Sequence, residues 1–239
     1  MTRNMIIRKL QLAIMAIGLA GVMAAPNLFA YTGLDGTIFF SAPTYQNGTG
    51  GEFNAVTTGL GSFPTLCLED AEYIGQPPSG PYTYTINSGG VAGGLGANVI
   101  DPYTGLAMDN ISKGTAWLFS QFSAGTLTLD DGTGSYFDAN RLAHAGELQQ
   151  AIWFLEDETA GQTNAYVTLV ENALGTDLAG IKVDSNGAYG VVALNLFSPD
   201  GSLAQDQLTV PEPTTTGCFL LGLGALVRSR RFAQNRRSR

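Results

Sequence analysis

Residues 139–158 read ANRLAHAGELQQAIWFLEDE and carry the strongest helical signal in the chain. Apolar side chains recur there at the three- and four-residue spacing of one helix face. They are Leu142, Ala145, Leu148, Ile152 and Leu155. Asp138 or Asn140 is suited to cap the start of the helix. We therefore predict one main amphipathic helix over residues 139–158.

The sequence on both sides of this helix is typical of strands and turns. Glycine accounts for 31 of 239 residues, well above the usual share of about 7%. The best strand candidates are 37–40, 65–69, 82–86, 189–197 and 206–210. Residues 165–174, followed by Gly175, predict a shorter second helix, while 116–122 fits a helix or a strand. The fold class is therefore mainly β, a β-rich α+β fold: a single sheet or sandwich-like domain with one main amphipathic helix and one shorter helix.

The N-terminus has the pattern of a secretory signal peptide. Arg3, Arg8 and Lys9 precede an apolar stretch over 10–25, and Leu28-Phe29-Ala30 offers a small residue for cleavage. This order of a basic, an apolar and a small-residue region is that of an exported precursor. We predict a signal peptide over 1–30 and exclude it from the fold.

The C-terminus combines three features in a fixed order. Pro211-Glu212-Pro213 comes first, then the apolar run Gly217–Val227 of 11 residues, then six arginines within 228–239. As a helix the apolar run would be about 17 Å long, against a bilayer core of about 30 Å. A segment this short is suited to a transient stop in the membrane, and the adjacent positive charge stays on the cytoplasmic side.

This tail resembles the PEP-CTERM sorting signal of Gram-negative bacteria, which the membrane protease exosortase reads. The resemblance covers residues 210–239, with Pro211, Glu212 and Pro213 as the sorting motif, 214–227 as the short transmembrane segment and 228–239 as the basic tail. It implies export, a transient inner-membrane intermediate, processing by exosortase, and delivery to the cell surface or the extracellular matrix, as in a biofilm.

The remaining residues, 31–209, are long enough for one domain with a sizeable core. This body contains three basic residues against nineteen acidic ones, which leaves a formal net charge of −16. Such a charge disfavours nucleic acids and anionic membrane surfaces as partners. We expect a β-rich extracellular domain and no nucleic-acid partner.

Cysteine usage singles out one residue of the body. The chain has two cysteines, and Cys218 lies in the tail that sorting would remove. Cys67 is then alone in an exported protein, where thiols normally pair. Its thiol is either buried and inert or chemically used.

Two segments of the body resemble bacterial surface thioester domains. Leu148–Trp153 is similar to the Thr-Gln-x-Ala-Ile-Trp motif of that family, with Leu148 in place of the usual threonine, and Phe63–Glu69 is similar to its cysteine segment. The resemblance implies a cross-link between Cys67 and Gln149. The neighbouring Gln150 is the alternative if the alignment is shifted by one residue.

These patterns leave three functions to compare. The first is covalent adhesion, in which a nucleophile on a surface polysaccharide or protein displaces the Cys67 sulfur and becomes attached to Gln149. The second is a non-reactive structural or binding protein of the matrix with Cys67 buried. The third, a hydrolase built on His144, lacks a Gly-x-Ser-x-Gly elbow, so we do not expect an enzyme.

Two acidic stretches offer weaker signals. Asp130, Asp131 and Asp138 supply oxygen atoms of the kind that Ca²⁺ binds, but their spacing is not that of an EF-hand. Glu156-Asp157-Glu158 fits a solvated helix end better than the carboxylate pair of a glycosidase. We predict neither a metal nor a cofactor.

Overall fold

The computed structural model describes residues 35–47, 50–91, 99–100, 105, 107–129, 134–161 and 163–211. The strands, in chain order, are β1 (Gly36–Asn47), β2 (Gly50–Thr57), β3 (Gly61–Thr65), β4 (Ser79–Asn87), β5 (Gly89–Val91), β6 (Val99–Ile100), β7 (Ala107–Asn110), β8 (Thr128–Leu129), β9 (Gly134–Ser135), β10 (Val192–Phe197) and β11 (Leu203–Thr209). The α-helices are α1 (Lys113–Ser123), α2 (Arg141–Leu155), α3 (Ala165–Leu174) and α4 (Leu178–Ile181).

Six strands form one antiparallel sheet in the order β11-β10-β4-β1-β2-β3. The strands β5, β7 and β6 form a second, small sheet, and β8 pairs with β9. The mainly β fold class is therefore confirmed, and α2 packs on β1 and β2 as the main helix.

The two outer strands of the large sheet approach each other through the residues that follow β3. The backbone N–H of Leu68 donates to the carbonyl of Asp206 at 2.9 Å, and Leu208 N–H donates to Leu66 O at 3.1 Å. Between these bonds Cys67 forms an antiparallel bridge with Gln207 of β11. The sheet is thus curled, and Cys67 lies where its first and last strands meet.

Alternation along this segment divides the interior between two cores. Cys67 belongs to a cluster with the sheet residues Phe40 and Phe53 and with Trp153 of α2. Its neighbours Leu66 and Leu68 belong instead to the larger core formed by the helices. Successive side chains of an extended segment point in opposite directions, so one short stretch supplies both cores.

The main helix is shorter and more completely buried than the sequence predicts. It covers Arg141–Leu155, and Asn140 at its start makes no side-chain capping bond. Leu142 was placed on the apolar face but is 51% exposed, whereas Gln149 and Trp153 are buried. Since α2 lies between the sheet and the other helices, it buries more than one face, and periodicity alone misplaces a residue at its exposed N-terminal turn.

Two helices were not predicted. Residues 116–122, left open between helix and strand, lie within α1, whose N-cap Ser112 accepts a bond from Thr115 N–H. The buried residues of α1 include Leu118, Phe119 and Phe122 at the spacing of one helix face, but the uninterrupted apolar run 116–119 within this short segment fits a strand as well. The four-residue α4 is too short to show a period. The predicted second helix does form, as α3, and ends at Gly175 in the left-handed conformation.

A buried ion pair fastens α2 to the sheet. Arg141 donates through Nε and one terminal nitrogen to the two carboxylate oxygens of Glu52, each at 2.7 Å. The hydroxyl of Tyr136 donates to the same carboxylate at 2.7 Å. The guanidinium also lies 4.4 Å from the centroid of the Tyr45 ring. This bidentate pair joins the first residue of α2 to β2.

Candidate functional site

The side chain of Gln149 forms two hydrogen bonds with the backbone of Cys67. Cys67 N–H donates to Gln149 Oε1 at 2.9 Å, and Gln149 Nε2 donates to the Cys67 carbonyl at 2.7 Å. The Gln149 amide thus pairs with both backbone polar groups of Cys67. Gln207 of β11 is the partner of Cys67 in the antiparallel bridge. Both residues are almost inaccessible, at 0% exposure for Cys67 and 1% for Gln149.

The helix selects between the two neighbouring glutamines. Gln149 faces the sheet, whereas Gln150 is exposed on the opposite side of α2. Of the two residues considered from the sequence, it is therefore Gln149 that the fold brings to Cys67. Cys67 and Gln149 are 82 positions apart in the chain, and they meet because α2 packs across the curled sheet.

The thiol of Cys67 is held in its neutral form. Burial raises its pKa to about 12, and the nearby charges of Glu69 and Asp70 raise it as well. A hydrogen bond from Gln207 Nε2 to Sγ at 3.4 Å acts in the opposite direction. Since the thiolate is the nucleophilic form, the free cysteine is protected from adventitious reagents in this fold.

A close backbone approach covers the Gln149 side chain. A Cβ atom at Gly50 of β2 would fall within 3.0 Å of both Gln149 Cγ and the Trp153 ring. Only a glycine therefore fits opposite these two side chains, and Trp153 is itself buried. The glycine backbone and the indole together seal the contact between Gln149 and Cys67 from solvent.

A shallow cleft lies on the outside of this region. It is lined by Phe53, Tyr73 and Gln205 together with neighbouring residues of the turn around Gly75. Phe53 shares the apolar cluster of Cys67, and Gln205 Nε2 donates to the carbonyl of Glu69 at 2.7 Å. Through Gln205, the lining of this cleft contacts the segment that follows Cys67.

The acidic end of α2 differs from its predicted solvated state. Glu156 is buried, and its two oxygens accept from Ser112 N–H at 3.1 and 3.2 Å, next to the start of α1. Asp157 pairs with Lys182, and Glu158 accepts from the Asp70 N–H at 3.3 Å. These carboxylates join the end of α2 to other parts of the chain and form no glycosidase-like pair facing a cavity.

His144 lies among acidic and aromatic neighbours. Its Nε2 is 3.4 Å from Asp138, its Nδ1 is 4.0 Å from the exposed Glu147, and its ring lies 6.1 Å from that of Tyr136. No serine hydroxyl bonds to it among the described residues. The hydrolase hypothesis therefore gains no catalytic set from the described structure.

Sequence reasoning missed a buried polar cluster beside Cys67. The carboxylate of Asp206 in β11 accepts from Val91 N–H at 2.8 Å, from Leu196 N–H at 2.9 Å and from Asn195 Nδ2 at 2.6 Å. Its own backbone N–H donates to Glu69 Oε2 at 2.9 Å. The sequence of β11 predicts an ordinary strand, because no local pattern shows which of its polar side chains are buried.

Several predicted features fall outside the described residues. They include the signal peptide, the acidic residues Asp130 and Asp131, and everything after Pro211. The segment 214–227 is among them. Within the part of the chain that is described, no helix has the length and apolar character needed to span a membrane.

Comparison with known proteins identifies the C-terminal region. Residues 209–237 match the PEP-CTERM protein-sorting motif. The chain therefore carries the signal of proteins that are exported through the membrane and processed by exosortase, as the order of its C-terminal features had predicted. No curated protein and no solved structure matches the chain.

Proposed function

We propose that this exosortase-processed protein acts at the cell surface or in the extracellular matrix as a single-use adhesin, with an internal thioester between Cys67 and Gln149. The contact that carries the proposal is the pair of hydrogen bonds between the Gln149 amide and the Cys67 backbone. They hold the carboxamide against the residue that bears the thiol. Holding two reacting groups together is worth several orders of magnitude in rate.

The bond-forming step requires only these two side chains. The sulfur of Cys67 attacks the carboxamide carbon of Gln149, the carbon–nitrogen bond breaks, and ammonia leaves. The thiol proton ends on the departing nitrogen, so no oxidant or external base is consumed. Because burial keeps the thiol protonated, this proton transfer accompanies the attack. The amide must also release its bond to the Cys67 carbonyl.

The surroundings favour survival of the product. A thioester is an activated acyl group that water would hydrolyse, and excluding water preserves it. Gly50 and Trp153 cover Gln149, and the cleft lined by Phe53 and Tyr73 lies near the cysteine segment, although neither Cys67 nor Gln149 lines it. An amine or hydroxyl of a surface polysaccharide or protein would then take the acyl group from sulfur, leaving the partner bonded to Gln149 and the thiol restored.

The same contacts also support a second function, in which their role is purely structural. A buried glutamine that satisfies both backbone groups of Cys67 stabilises the closure of the sheet without any reaction. The raised pKa of the Cys67 thiol favours this alternative, since it suppresses the nucleophilic form. The protein would then be a passive structural or binding component of the matrix.

Thiol labelling separates the two functions. In a Cys218→Ser background Cys67 is the sole cysteine. The exported protein, purified without reductant or amines and unfolded in mildly acidic urea, should resist alkylation if the thioester is present. The Gln149→Ala variant should label fully, and Gln150→Ala should behave as the parent protein. Complete labelling of the parent protein would reject the thioester and leave the passive role.

A further inference from the structure

Three carboxylates converge beside Cys67. Glu69 and Glu72 follow β3, and Asp206 belongs to β11. One oxygen atom of each lies within 4.8 Å of the others. Three oxygens at this limit would each lie about 2.8 Å from a central ion, so small side-chain shifts would bring all three to the Ca²⁺–oxygen distance of roughly 2.3–2.6 Å.

Two of the oxygens in this cluster accept no hydrogen bond from a donor of the described residues. Glu69 is 2% exposed, and while its Oε2 accepts from Asp206 N–H, its buried Oε1 has no such donor in the described part of the chain. Oε2 of Glu72 is likewise buried and unpartnered. A buried carboxylate oxygen without a donor costs free energy that a native fold normally avoids. A ligand that supplies positive charge would remove this cost.

The backbone of Gly90 lies next to the unpartnered Oε1 of Glu69. At Gly90 of β5 an added Cβ would fall within 3.0 Å of Glu69 Oε1. A side chain at this position would displace the carboxylate, so the glycine provides the space that this oxygen itself occupies. This observation is independent of the charge of the cluster.

Among the described residues, no basic side chain pairs with the cluster. Of the three cations in the body, Arg141 pairs with Glu52, Lys182 pairs with Asp157, and Lys113 at the start of α1 forms no ion pair with a described residue. An ionised cluster of this kind is stable only with a counter-charge.

We propose that Glu69, Glu72 and Asp206 form a Ca²⁺ site that ties the cysteine segment to β11. All three donors are carboxylate oxygens, the ligands that hard divalent cations prefer, and neither histidine nor a thiol takes part. Glu72 is half-buried, so water could complete the coordination from its side. The site lies two residues from Cys67, and ion binding would hold closed the sheet edge that carries the cysteine, whether or not a thioester forms.

Calorimetric titration of Ca²⁺ into the EDTA-treated, dialysed full-length protein tests the site. We expect one saturable site per chain and a higher melting temperature with Ca²⁺. Glu72→Gln is the informative variant because the residue is half-buried on a turn and its loss should not prevent folding. It should weaken binding by at least about tenfold, since affinity follows the charge count of the ligands.

Glu147→Gln is the matched control, because it removes an exposed carboxylate far along the sequence on α2. It should leave both the affinity and the melting shift unchanged. The proposal is overturned if roughly 10 mM Ca²⁺, above the dissociation constants of about 1 mM of weak extracellular sites, gives neither heat nor a melting shift. It is equally overturned if Glu72→Gln binds as tightly as the parent, or if Glu147→Gln weakens binding as much.

Discussion

The amide of Gln149 and the backbone of Cys67 are joined by two hydrogen bonds, in the manner of a neighbouring strand. Cys67 is therefore held from one side by β11 and from another by a helix side chain. The arrangement satisfies the buried peptide groups of a residue at which the curled sheet closes. It also holds the Gln149 carboxamide against the backbone of the residue that bears the thiol, and the proposed cross-link starts from this contact.

Gln149→Ala should destabilise the fold strongly. The substitution leaves the Cys67 N–H and C=O buried without these partners, at about 1–3 kcal/mol for each unsatisfied group. We expect a loss of about 3 kcal/mol in the free energy of unfolding, measured by urea denaturation. Gln150→Ala, one residue away but exposed, should change it by less than about 0.5 kcal/mol. Equal effects of the two would contradict the buried pairing.

Gly50→Ala should displace Gln149 from Cys67. The new methyl group would overlap Gln149 Cγ and the Trp153 ring, and overpacking of this kind costs about 1–3 kcal/mol. Thermal unfolding and Trp153 fluorescence report the change. Gly161→Ala is the control, since its nearest neighbour would be the hydroxyl of Thr159 at 3.1 Å. An unaltered melting temperature for Gly50→Ala would show that β2 does not cover Gln149 tightly.

Glu156 should make the protein less stable as the pH rises from acid to neutral. Burial raises its pKa from 4.5 to about 7. Below 4.5 the group is protonated in both the folded and the unfolded chain. Between pH 4.5 and 7 the carboxyl is ionised in the unfolded chain but still protonated in the folded one. The stability that the neutral group contributes in acid is therefore lost as the pH rises through this range. At about 1.4 kcal/mol per pKa unit, the loss is roughly 3 kcal/mol.

Glu156→Gln tests this dependence because the amide oxygen can still accept from Ser112 N–H. Urea unfolding at pH 5 and pH 8 should show a smaller decline for the variant than for the parent. Other acids such as the partly buried Asp109, whose pKa is raised to about 6 by burial and nearby carboxylates, continue to contribute in both proteins. Identical declines in parent and variant would exclude Glu156 as a source.

Arg141→Met should cost much more than Lys182→Met. Glu52 is 4% exposed and would keep a buried negative charge without its guanidinium partner, a loss of about 3–5 kcal/mol. The carboxylate paired with Lys182 is 60% exposed, and exposed pairs contribute about 0–1 kcal/mol. Chemical denaturation of both variants measures the difference. Similar losses would show that the Glu52 pair is not buried in solution.

The sequence predicts the main elements where side-chain periodicity reports a single buried face. The spacing of Leu148 and Ile152 predicts the core of α2, whereas of the strand predicted over 65–69 only Thr65 lies in β3 and Cys67 forms an isolated bridge. The sequence leaves residues 116–122 of α1 open between helix and strand, because the uninterrupted apolar run 116–119 hides the helical spacing of Leu118 and Phe122. It also misplaces Leu142, since periodicity does not reveal where the covering sheet ends.

The site itself depends on contacts between distant parts of the chain. Resemblance to a motif led to Cys67 and Gln149, but no local pattern says that the amide would pair with the cysteine backbone. The approach of Glu69 to Asp206 spans 137 residues and follows from the closure of the sheet, which sequence periodicity does not encode. Glu156 was misread for the same reason: its partner Ser112 lies on another element.

Intact mass spectrometry of the exported protein, prepared without reductant or amines, tests the thioester most directly. The parent protein should be lighter than its sequence mass by about 17 Da, the mass of the ammonia expelled when sulfur acylates. Cys67→Ala and Gln149→Ala should each match their own sequence masses. A parent protein at its full sequence mass would contradict the cross-link and leave the Gln149–Cys67 pairing as a purely structural contact.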